Sequence, residues 1–297
     1  MSKDKIKNYL KHRGITPEGL LHGIAFYSLK LALVQQGLDR LIDTLRQIVP
    51  DISQQEAGTK ETFNPYWEYK RRGLQAFQSA LMLRALKGYA KRNLSVADIG
   101  DSAGTHMLYL KNLANKLCYQ IDSVSVNLDP RAIDKIRSRG LKAILCRAEN
   151  LELPQNVDLA VSFQMIEHLH NPIAFLRRLA TRTNCDRLVI TSPFLPRSRV
   201  GLYHARKNNG KRFFAEDEHI FELSPGDWSL LMLFSGWKIV YQDIYYQYPR
   251  GYPLLSQLLG LFWRRTDFAG FWGAILERDD SLSSLYQDWW GEDERKS

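Results

Sequence analysis

The residues best suited to chemistry form a short turn of small and acidic side chains in the first half of the chain. The turn reads Asp98-Ile99-Gly100-Asp101-Ser102-Ala103-Gly104 and follows a short apolar run. Small residues in such a turn let backbone amides approach a ligand closely at the point where a helix begins. Hydrolases and cofactor-binding enzymes both use turns of this kind, for different reactions.

The hydrolase interpretation makes Ser102 a nucleophile. In an α/β-hydrolase, Gly100-x-Ser102-x-Gly104 would be the nucleophile elbow, and the enzyme would also need an upstream oxyanion loop and a catalytic histidine late in the chain. Upstream there is only His22-Gly23-Ile24, within a helical pattern, and the last histidine, His219, lies far from the C-terminus. The surroundings therefore favour a cofactor-binding fold.

A cofactor-binding α/β fold needs an acid at the end of its second strand, about 20 or more residues after the turn, to hold ribose hydroxyls. Asp129, in Val126-Asn127-Leu128-Asp129-Pro130, has that spacing. The same carboxylate could instead serve only the start of the following helix, where the helix dipole favours an acid. The spacing favours ribose binding by Asp129.

The elements that must position these residues alternate between short β-rich runs and helical segments. Strands are predicted at 96–99, 123–128, 141–146, 159–163 and 187–191. Such alternation predicts an α/β fold with a parallel sheet and helices on both faces. Two further strands, at 237–246 and 271–278, follow a predicted helix at 225–234 with no helix between them, so we expect these two to pair antiparallel.

The first 93 residues predict a helical cap. Apolar residues recur every three or four positions from Leu20 to Val49, which predicts one amphipathic helix ended by Pro50. A polar linker is predicted at 51–62 and a second helix at 66–89. The predicted domains are therefore a helical cap at 1–93, an α/β domain at 94–280 and a C-terminal tail at 281–297, with Trp289 and Trp290 packing on the core.

Several later segments of the chain also carry motif-like sequences. Together with the glycine turn, and in this order, they resemble the motifs of class I S-adenosylmethionine-dependent methyltransferases of the small-molecule and glycan type. Their first motif is an acid before Gly-x-Gly-x-Gly. The later matching segments are 148–154, 157–162 with Ile166-Glu167-His168-Leu169, 189–193 and Phe234-Ser235-Gly236-Trp237. The resemblance covers about residues 94–278, and its specificity lies in the ordered set. It implies a doubly wound, Rossmann-like methyltransferase fold.

The resemblance also implies a cofactor, a reaction and the residues that serve them. The cofactor is S-adenosylmethionine, and an acceptor atom would attack its sulfonium methyl group while the protein aligns the two reactants. The implied cofactor-binding residues are Asp98, Gly100, Asp101, Ser102, Gly104, Asp129, Ala148, Glu149 and Gln164. A base helps a hydroxyl acceptor, so Glu167 and His168 are the candidate catalytic residues, although His168 could also be a hydrogen-bonded structural histidine.

Three positions depart from the family pattern. Ser102 replaces the middle glycine, and Arg147 stands where an Asp often contacts the adenine, so we expect the backbone near Ala148 to serve instead. Gln164 stands where quinone-type O-methyltransferases carry a Glu that joins the Glu-His pair in binding a divalent ion. Because an amide is a poor substitute for a carboxylate on a hard cation, we expect no metal.

Composition limits the class of protein and its partners. The mean hydropathy of −0.34 and a hydrophobic fraction of 44% exclude a disordered or integral membrane protein. Lys and Arg outnumber Asp and Glu by 41 to 32, which predicts attraction to polyanions. Three widely separated cysteines without pairing or metal-ligand spacing predict a reduced, cytoplasmic protein, and the start does not predict a signal peptide.

The acceptor is predicted from two inserts, 193–216 and 248–267, that combine Arg and Lys with aromatic residues. This combination favours a small-molecule or glycan acceptor that is phosphorylated or lipid-linked, methylated at oxygen. RNA is the competing polyanion, since aromatic side chains stack on bases, but no RNA-binding motif is present. A non-catalytic binding protein with the same fold is the other alternative, and the joint presence of Asp98, Gly100, Gly104 and Asp129 argues against it.

The second insert also raises the question of membrane contact. If residues 248–265 form a helix, its leucines would make an apolar face edged by Arg250, Arg264 and Arg265, the pattern of a helix that lies in a membrane interface. The alternative is that these leucines pack against the helical cap or a second subunit. The sequence therefore predicts a cytoplasmic protein with peripheral membrane contact as an open alternative.

Overall fold

The computed structural model describes residues 17–53, 65–153, 157–183, 185–207, 210–287 and 289. Most of the predicted linker at 51–62, and the predicted tail beyond 287 apart from Trp289, lie outside this part. The described chain divides into two compact units. The first takes residues up to 53, 65–77 and 245–270, and the second takes 78–244 and 271 onward.

A seven-stranded sheet organises the α/β part of the chain. In chain order the strands are β1 Asn93–Ile99, β2 Gln120–Asn127, β3 Lys142–Leu145, β4 Leu159–Phe163, β5 Arg187–Pro193, β6 Arg199–Val200, β7 Phe221–Glu222, β8 Trp237–Tyr246 and β9 Gly270–Arg278. The sheet order is β3-β2-β1-β4-β5-β9-β8, and β6 pairs with β7 separately. The first five strands run parallel, and β9 is antiparallel to β5. The predicted Rossmann-like, doubly wound fold is confirmed.

Three of the described helices precede β1, and the others alternate with strands as the sequence predicts for βα units. They are α1 Pro17–Gln35, α2 Asp39–Ile48, α3 Pro65–Leu86, α4 Thr105–Asn115, α5 Pro130–Ser138, α6 Pro172–Arg182, α7 Tyr203–Lys207, α8 Pro225–Phe234 and α9 Pro253–Thr266. Proline occupies the first turn of several of them, where its missing N–H costs no hydrogen bond. Side chains of Asp129, Asn171 and Ser224 cap α5, α6 and α8.

The central strands are buried on both faces, which explains their nearly continuous apolar sequence. All five residues of β4 are buried, and so are six of the seven in β5. Because parallel strands end at the same edge of a sheet, Gly100, Asn127, Gln164 and Thr191 lie at or next to one edge. This carboxyl edge is where open α/β sheets bind ligands.

Two expectations about helices are wrong. The single helix predicted from Leu20 to Val49 is two helices, because Gly37 adopts a left-handed φ of +68° between α1 and α2. A helix, α9, lies between β8 and β9, where none was expected. Its apolar residues recur at helical spacing after Pro253, but their high density obscured that period in the sequence.

The first unit has its own small core. Ala25 and Leu29 of α1 pack with Trp263 of α9, and the Trp263 Nε1–H donates a hydrogen bond of 2.9 Å to Ser28 Oγ. The buried indole thus has both an apolar surround and a partner for its one polar atom.

Candidate functional site

The glycine turn follows β1 directly, and its two glycines are required by the backbone. Gly100 has a φ of +93° and Gly104 a φ of +74°, both in the left-handed region. A Cβ on Gly100 would lie 2.7 Å from Met165 Cγ, and one on Gly104 would lie 2.5 Å from Leu141 Cδ1. Only glycine fits both the conformation and the space. Ser102 sits half-buried between them.

Asp101 stabilises this turn through hydrogen bonds to its backbone amides. Its Oδ1 accepts hydrogen bonds from the amides of Ala103 at 3.0 Å and Gly104 at 2.7 Å, and its Oδ2 accepts one from Ser125 Oγ at 2.7 Å. Both carboxylate oxygens are therefore paired with donors of the protein itself. Whether Asp101 also contacts the cofactor stays a prediction.

The end of β2 differs in detail from the sequence expectation. The last residue of β2 is Asn127, whose Nδ2 donates to Asp101 O at 3.0 Å and whose Oδ1 accepts from the amide of Asp129 at 2.7 Å. Asp129 caps α5 by accepting from the amide of Arg131 at 2.9 Å. Its carboxylate also faces the Arg131 guanidinium at 2.8 Å, which lowers the pKa of Asp129. The helix-capping role is thus present, and ribose binding by Asp129 stays a prediction.

A chain of buried and half-buried polar side chains crosses the carboxyl edge from Asp98 to Gln164. His106 Nδ1 lies 3.5 Å from Asp98 Oδ2, and His106 Nε2 lies 3.0 Å from Gln78 Oε1. The hydroxyl of Thr191 accepts from Gln78 Nε2 at 3.0 Å and from Gln164 Nε2 at 3.1 Å. The predicted residues Asp98 and Gln164 are therefore linked through three residues that the sequence analysis did not single out.

Asp98 and His106 hold a proton between them. The Gln78 carbonyl oxygen can only accept, so His106 Nε2 carries a hydrogen and its Nδ1 faces the carboxyl group. Burial raises the pKa of Asp98, as does the neighbouring Asp101, while the hydrogen bond to His106 opposes the rise. Burial lowers the pKa of His106, but Asp98 raises it more. The pair is thus a proton-holding group beside the glycine turn.

Gln164 has an unusual backbone that places its side chain in this network. Its φ is +52°, which is strained for a residue that is not glycine, and its amide donates to Thr191 O at 2.9 Å. Backbone strain of this kind is concentrated at functional sites. The signal that could have identified Gln78 is weaker: it is one of several buried polar residues of α3, with Arg72, Gln75 and Ser79.

The segment after β3 contains the predicted residues Ala148 and Glu149. They open a short 3-10 turn, and Glu149 Oε1 accepts from the amide of His170 at 3.2 Å. Arg147 lies 3.7 Å from Glu149 Oε2, so this arginine is engaged with a neighbouring carboxylate. The turn is thereby joined to the segment after β4, and cofactor contact by either residue stays a prediction.

The candidate catalytic residues follow β4 in another 3-10 turn, and they meet a histidine from a distant segment. Ligand atoms of Glu167, His168 and His219 all lie within 4.8 Å of one another. His168 Nδ1 lies 3.0 Å from Ala215 O and 3.1 Å from Glu218 O. Carbonyl oxygens only accept, so this nitrogen carries the hydrogen and Nε2 keeps its lone pair.

Burial sets the protonation of this cluster. Glu167 is 1% exposed, and neither carboxylate oxygen has a hydrogen-bond partner in the described chain. Burial raises the pKa of Glu167 to about 7, with Glu222 adding to the rise and His219 opposing it. Burial and His219 lower the pKa of His168 to about 4, so this imidazole is neutral at pH 7.

The same cluster has the donor set of a divalent metal site. Two imidazoles and a carboxylate suit transition metals, and His219 Nδ1 lies 3.3 Å from Glu222 Oε1, as second-sphere carboxylates often do. The expectation of no metal considered Gln164 and overlooked His219, which lies far from Glu167 in sequence. Metal independence stays a prediction.

Comparison with known families decides the class of protein. The profile of a family described as a methyltransferase domain matches residues 66–242, which is more than half of the chain. The chain belongs to this methyltransferase family. It is an S-adenosylmethionine-dependent methyltransferase, and the alternative of Ser102 as a hydrolase nucleophile is rejected.

Solved structures of low sequence identity show the same fold. A protein assigned as a sarcosine dimethylglycine methyltransferase from Galdieria sulphuraria is 13% identical, with a TM-score of 0.51 over 82% of this chain and 99% of that one. Magnesium protoporphyrin IX methyltransferase from Synechocystis PCC 6803 is 12% identical, with a TM-score of 0.50 over 80% and 90%. The cyclase SpnF is also 12% identical, with a TM-score of 0.50 over 84% and 96%. No curated protein matches the sequence.

The residues at the carboxyl edge of the sheet fit the methyltransferase cofactor. The two glycines let the turn pass close to Met165 and Leu141 without a Cβ, and Asp98 is buried beside it with His106 Nδ1 3.5 Å from its Oδ2. A buried acid next to the turn suits a ligand that carries a cationic group. The fit is weaker at the end of β2, where the strand ends in an amide instead of an acid.

Proposed function

We propose that this methyltransferase transfers the methyl group to an oxygen atom of a small-molecule acceptor that carries an anionic group, such as a phosphorylated, glycan or lipid-linked compound. The observation that supports this acceptor class is the contact between His168 and the segment 194–222. That segment supplies both carbonyl oxygens that hold His168 Nδ1, and it also carries exposed cations and aromatic rings.

Cofactor binding is assigned to the carboxyl edge of β1 and β2. The turn from Gly100 to Gly104 accommodates the adenosyl group, Asp98 faces its cationic part, and Asp129 holds ribose hydroxyls after exchanging its contact with Arg131. When bound, S-adenosylmethionine supplies an electrophilic methyl group on a sulfonium centre. The main contribution of the protein is to align the two reactants, which can supply about 7–11 kcal/mol of the barrier.

Acceptor binding is assigned to the segment 194–222. Phe214 is 76% exposed, Lys207 Nζ lies 4.1 Å from the centre of the Tyr203 ring, and His204 stacks on Phe213 at 5.6 Å. Cations next to exposed rings suit an acceptor with a flat body and a negative group. Magnesium protoporphyrin IX methyltransferase, which shares this fold, is an enzyme named for a small-molecule acceptor.

His168 is the candidate proton acceptor for a hydroxyl group. Its Nδ1–H is held by two carbonyl oxygens, so the Nε2 lone pair is fixed in direction. Because the pKa of His168 is about 4, the imidazole is a weak base that is always ready to accept a hydrogen bond at pH 7. Glu167, with a pKa of about 7, can take up a proton from the same cluster. Both roles predict loss of turnover without loss of cofactor affinity in His168→Ala.

The acceptor class is tested by labelling. The purified full chain is incubated with methyl-tritiated S-adenosylmethionine and a cell extract that has been divided into RNA, polar small-molecule, glycan and organic-soluble fractions. We expect label in a small-molecule, glycan or organic-soluble fraction, and none in that fraction with Gly100→Ala. Label that disappears after ribonuclease treatment would instead establish the RNA alternative, and absence of transfer to every fraction together with intact cofactor binding would favour the binding-protein alternative.

A further inference from the structure

Two helices of the first unit carry rows of apolar side chains on their outer surfaces. On α9, Leu254, Leu258 and Leu261 follow one another at intervals of four and three residues, so they share one face of the helix. Leu254 is 77% exposed and Leu258 is 65% exposed. Trp263, on the other face, is fully buried. Leucines therefore occupy the side of α9 that points away from the core of its own unit.

Helix α1 repeats this arrangement. Its exposed apolar residues again recur at intervals of four and three: Leu20, Ile24, Tyr27, Leu31 and Val34. Its buried side carries Ala25, Leu29 and Ala32. Lys30 is the one charged residue between Gly19 and Gln35, so α1 has little polar surface to face water. A helix that is apolar on its outer face as well as its inner face needs a second partner.

The inner faces of the two helices are used within the unit, and the outer rows are not. Ser28 and Leu29 contact Trp263 on the inner side. Half of the exposed large apolar residues of the described chain lie on α1, on α9 and at Tyr252. Of the others, four lie in the segment 194–222, which is assigned above to acceptor binding. The rest are scattered, as Leu230 is on α8, and scattered exposure is normal for soluble proteins. A concentration of this kind marks an interaction surface.

The charges near α9 identify the occupant. Arg250 precedes the helix, and Arg264 and Arg265 end it, all three exposed, while no Asp or Glu occurs between residues 244 and 266. A second copy of the chain would bring like charges together across this surface. Anionic lipid headgroups complement it instead. Tyr252, which directly precedes α9, is also exposed, and tyrosine favours the boundary between headgroups and acyl chains.

We infer that the outer face of α9 binds an anionic lipid surface, with its leucine row in the acyl boundary and its arginines among the headgroups. In the described residues no helix is both long and apolar enough to cross a membrane. Helix α9 would therefore lie along the interface. The inference rests on the first unit alone and does not depend on the proposed acceptor.

Vesicle flotation of the full chain tests this inference. At low salt the chain should float with phosphatidylcholine vesicles that contain phosphatidylglycerol, float poorly with phosphatidylcholine alone, and detach as salt rises. Replacing Leu254 and Leu258 together with Gln should lower the vesicle-bound fraction at least about tenfold. Leu31→Gln, in the outer row of α1, should leave it unchanged. Leu230→Gln changes a leucine that is 61% exposed on α8 and should have no effect.

Further measurements separate loss of lipid binding from loss of folding or from self-association. The leucine variants should keep the wild-type affinity for S-adenosylhomocysteine, and if the pair fails to fold, Arg264→Gln with Arg265→Gln should still weaken flotation with the anionic vesicles. A wild-type chain that stays at the bottom of the gradient at low salt overturns the inference. Flotation that is unaffected by the leucine and arginine changes also overturns it. So does an absence of flotation together with a dimer in vesicle-free solution that the leucine pair abolishes.

Discussion

Asp101 and Glu167 are buried carboxylates that follow neighbouring strands of one sheet, yet they differ in their hydrogen bonding. Asp101 accepts three hydrogen bonds from the turn and from Ser125. Glu167 accepts none in the described chain, and burial raises its pKa to about 7. An acid that is fully paired stabilises the fold, whereas an unpaired buried acid weakens it and is characteristic of a functional site. The comparison separates the residue that shapes the site from the residue that is free to react there.

Removing the paired carboxylate should have the largest effect on stability. Asp101→Ala leaves two amides and a hydroxyl buried without an acceptor, which should lower the free energy of unfolding by about 3 kcal/mol or more. Asp122→Ala is the matched control, because Asp122 pairs with Lys142 at 2.7 Å on the surface and should cost less than about 1 kcal/mol. Urea unfolding of both variants measures the difference, and equal losses would contradict the role given to Asp101.

Neutralising the unpaired carboxylate should change the pH dependence of stability. The folded protein holds the Glu167 proton up to about pH 7, whereas the unfolded chain releases it near 4.5. The folded state thus binds more protons between these values, so the free energy of unfolding falls as pH rises, by on the order of 3 kcal/mol in total. Glu167→Gln should remove this slope between pH 5 and pH 8. An unchanged slope in urea unfolding, with Asp122→Asn as control, would show that Glu167 is not protonated in the fold.

The same comparison shows what the sequence could and could not reveal. Asp101 bonds to residues two and three positions later, and Asp98, Gly100 and Gly104 share one turn, so local spacing was enough to predict the turn. His219 reaches Glu167 through a long insert, and Gln78 and Thr191 come from other elements. Such contacts between distant segments depend on tertiary packing, which the spacing of residues along the sequence does not reveal. Asn127 was visible in the sequence, but only the strand boundary shows that it, and not Asp129, ends β2.

Removing Asp129, the carboxylate that caps α5 after β2, should have a smaller effect. The property that changes should be the affinity for the cofactor. If Asp129 holds the ribose, Asp129→Ala should weaken binding of S-adenosylhomocysteine by about 1.5–3 kcal/mol for each charge-assisted bond that is lost. Arg131→Ala should leave the affinity unchanged or tighter, because it removes the competing partner at 2.8 Å. Calorimetry that finds wild-type affinity in Asp129→Ala would restrict Asp129 to capping α5.

Metal removal should have no effect on turnover. Gln164 contributes no charge, and both oxygens of Glu167 are shielded from solvent, so we expect excess chelator to leave methyl transfer unchanged. The effect of chelator should be measured because Glu167, His168 and His219 form a cluster of potential metal ligands. A stoichiometric metal in the purified protein that is lost in His219→Ala, together with inactivation by chelator and recovery on adding the metal, would refute this prediction.

Calorimetry with S-adenosylhomocysteine tests the central claim, that the turn from Gly100 to Gly104 binds the methyl donor. We expect wild type to bind one equivalent, Gly100→Ala to lose binding because its Cβ would meet Met165, and Gly140→Ala to retain it. Gly140 has a φ of +74° with nothing within 4 Å of a built Cβ, so this control carries the same backbone strain without the contact. Failure of the wild-type chain to bind, or equal affinity in Gly100→Ala, would contradict the account.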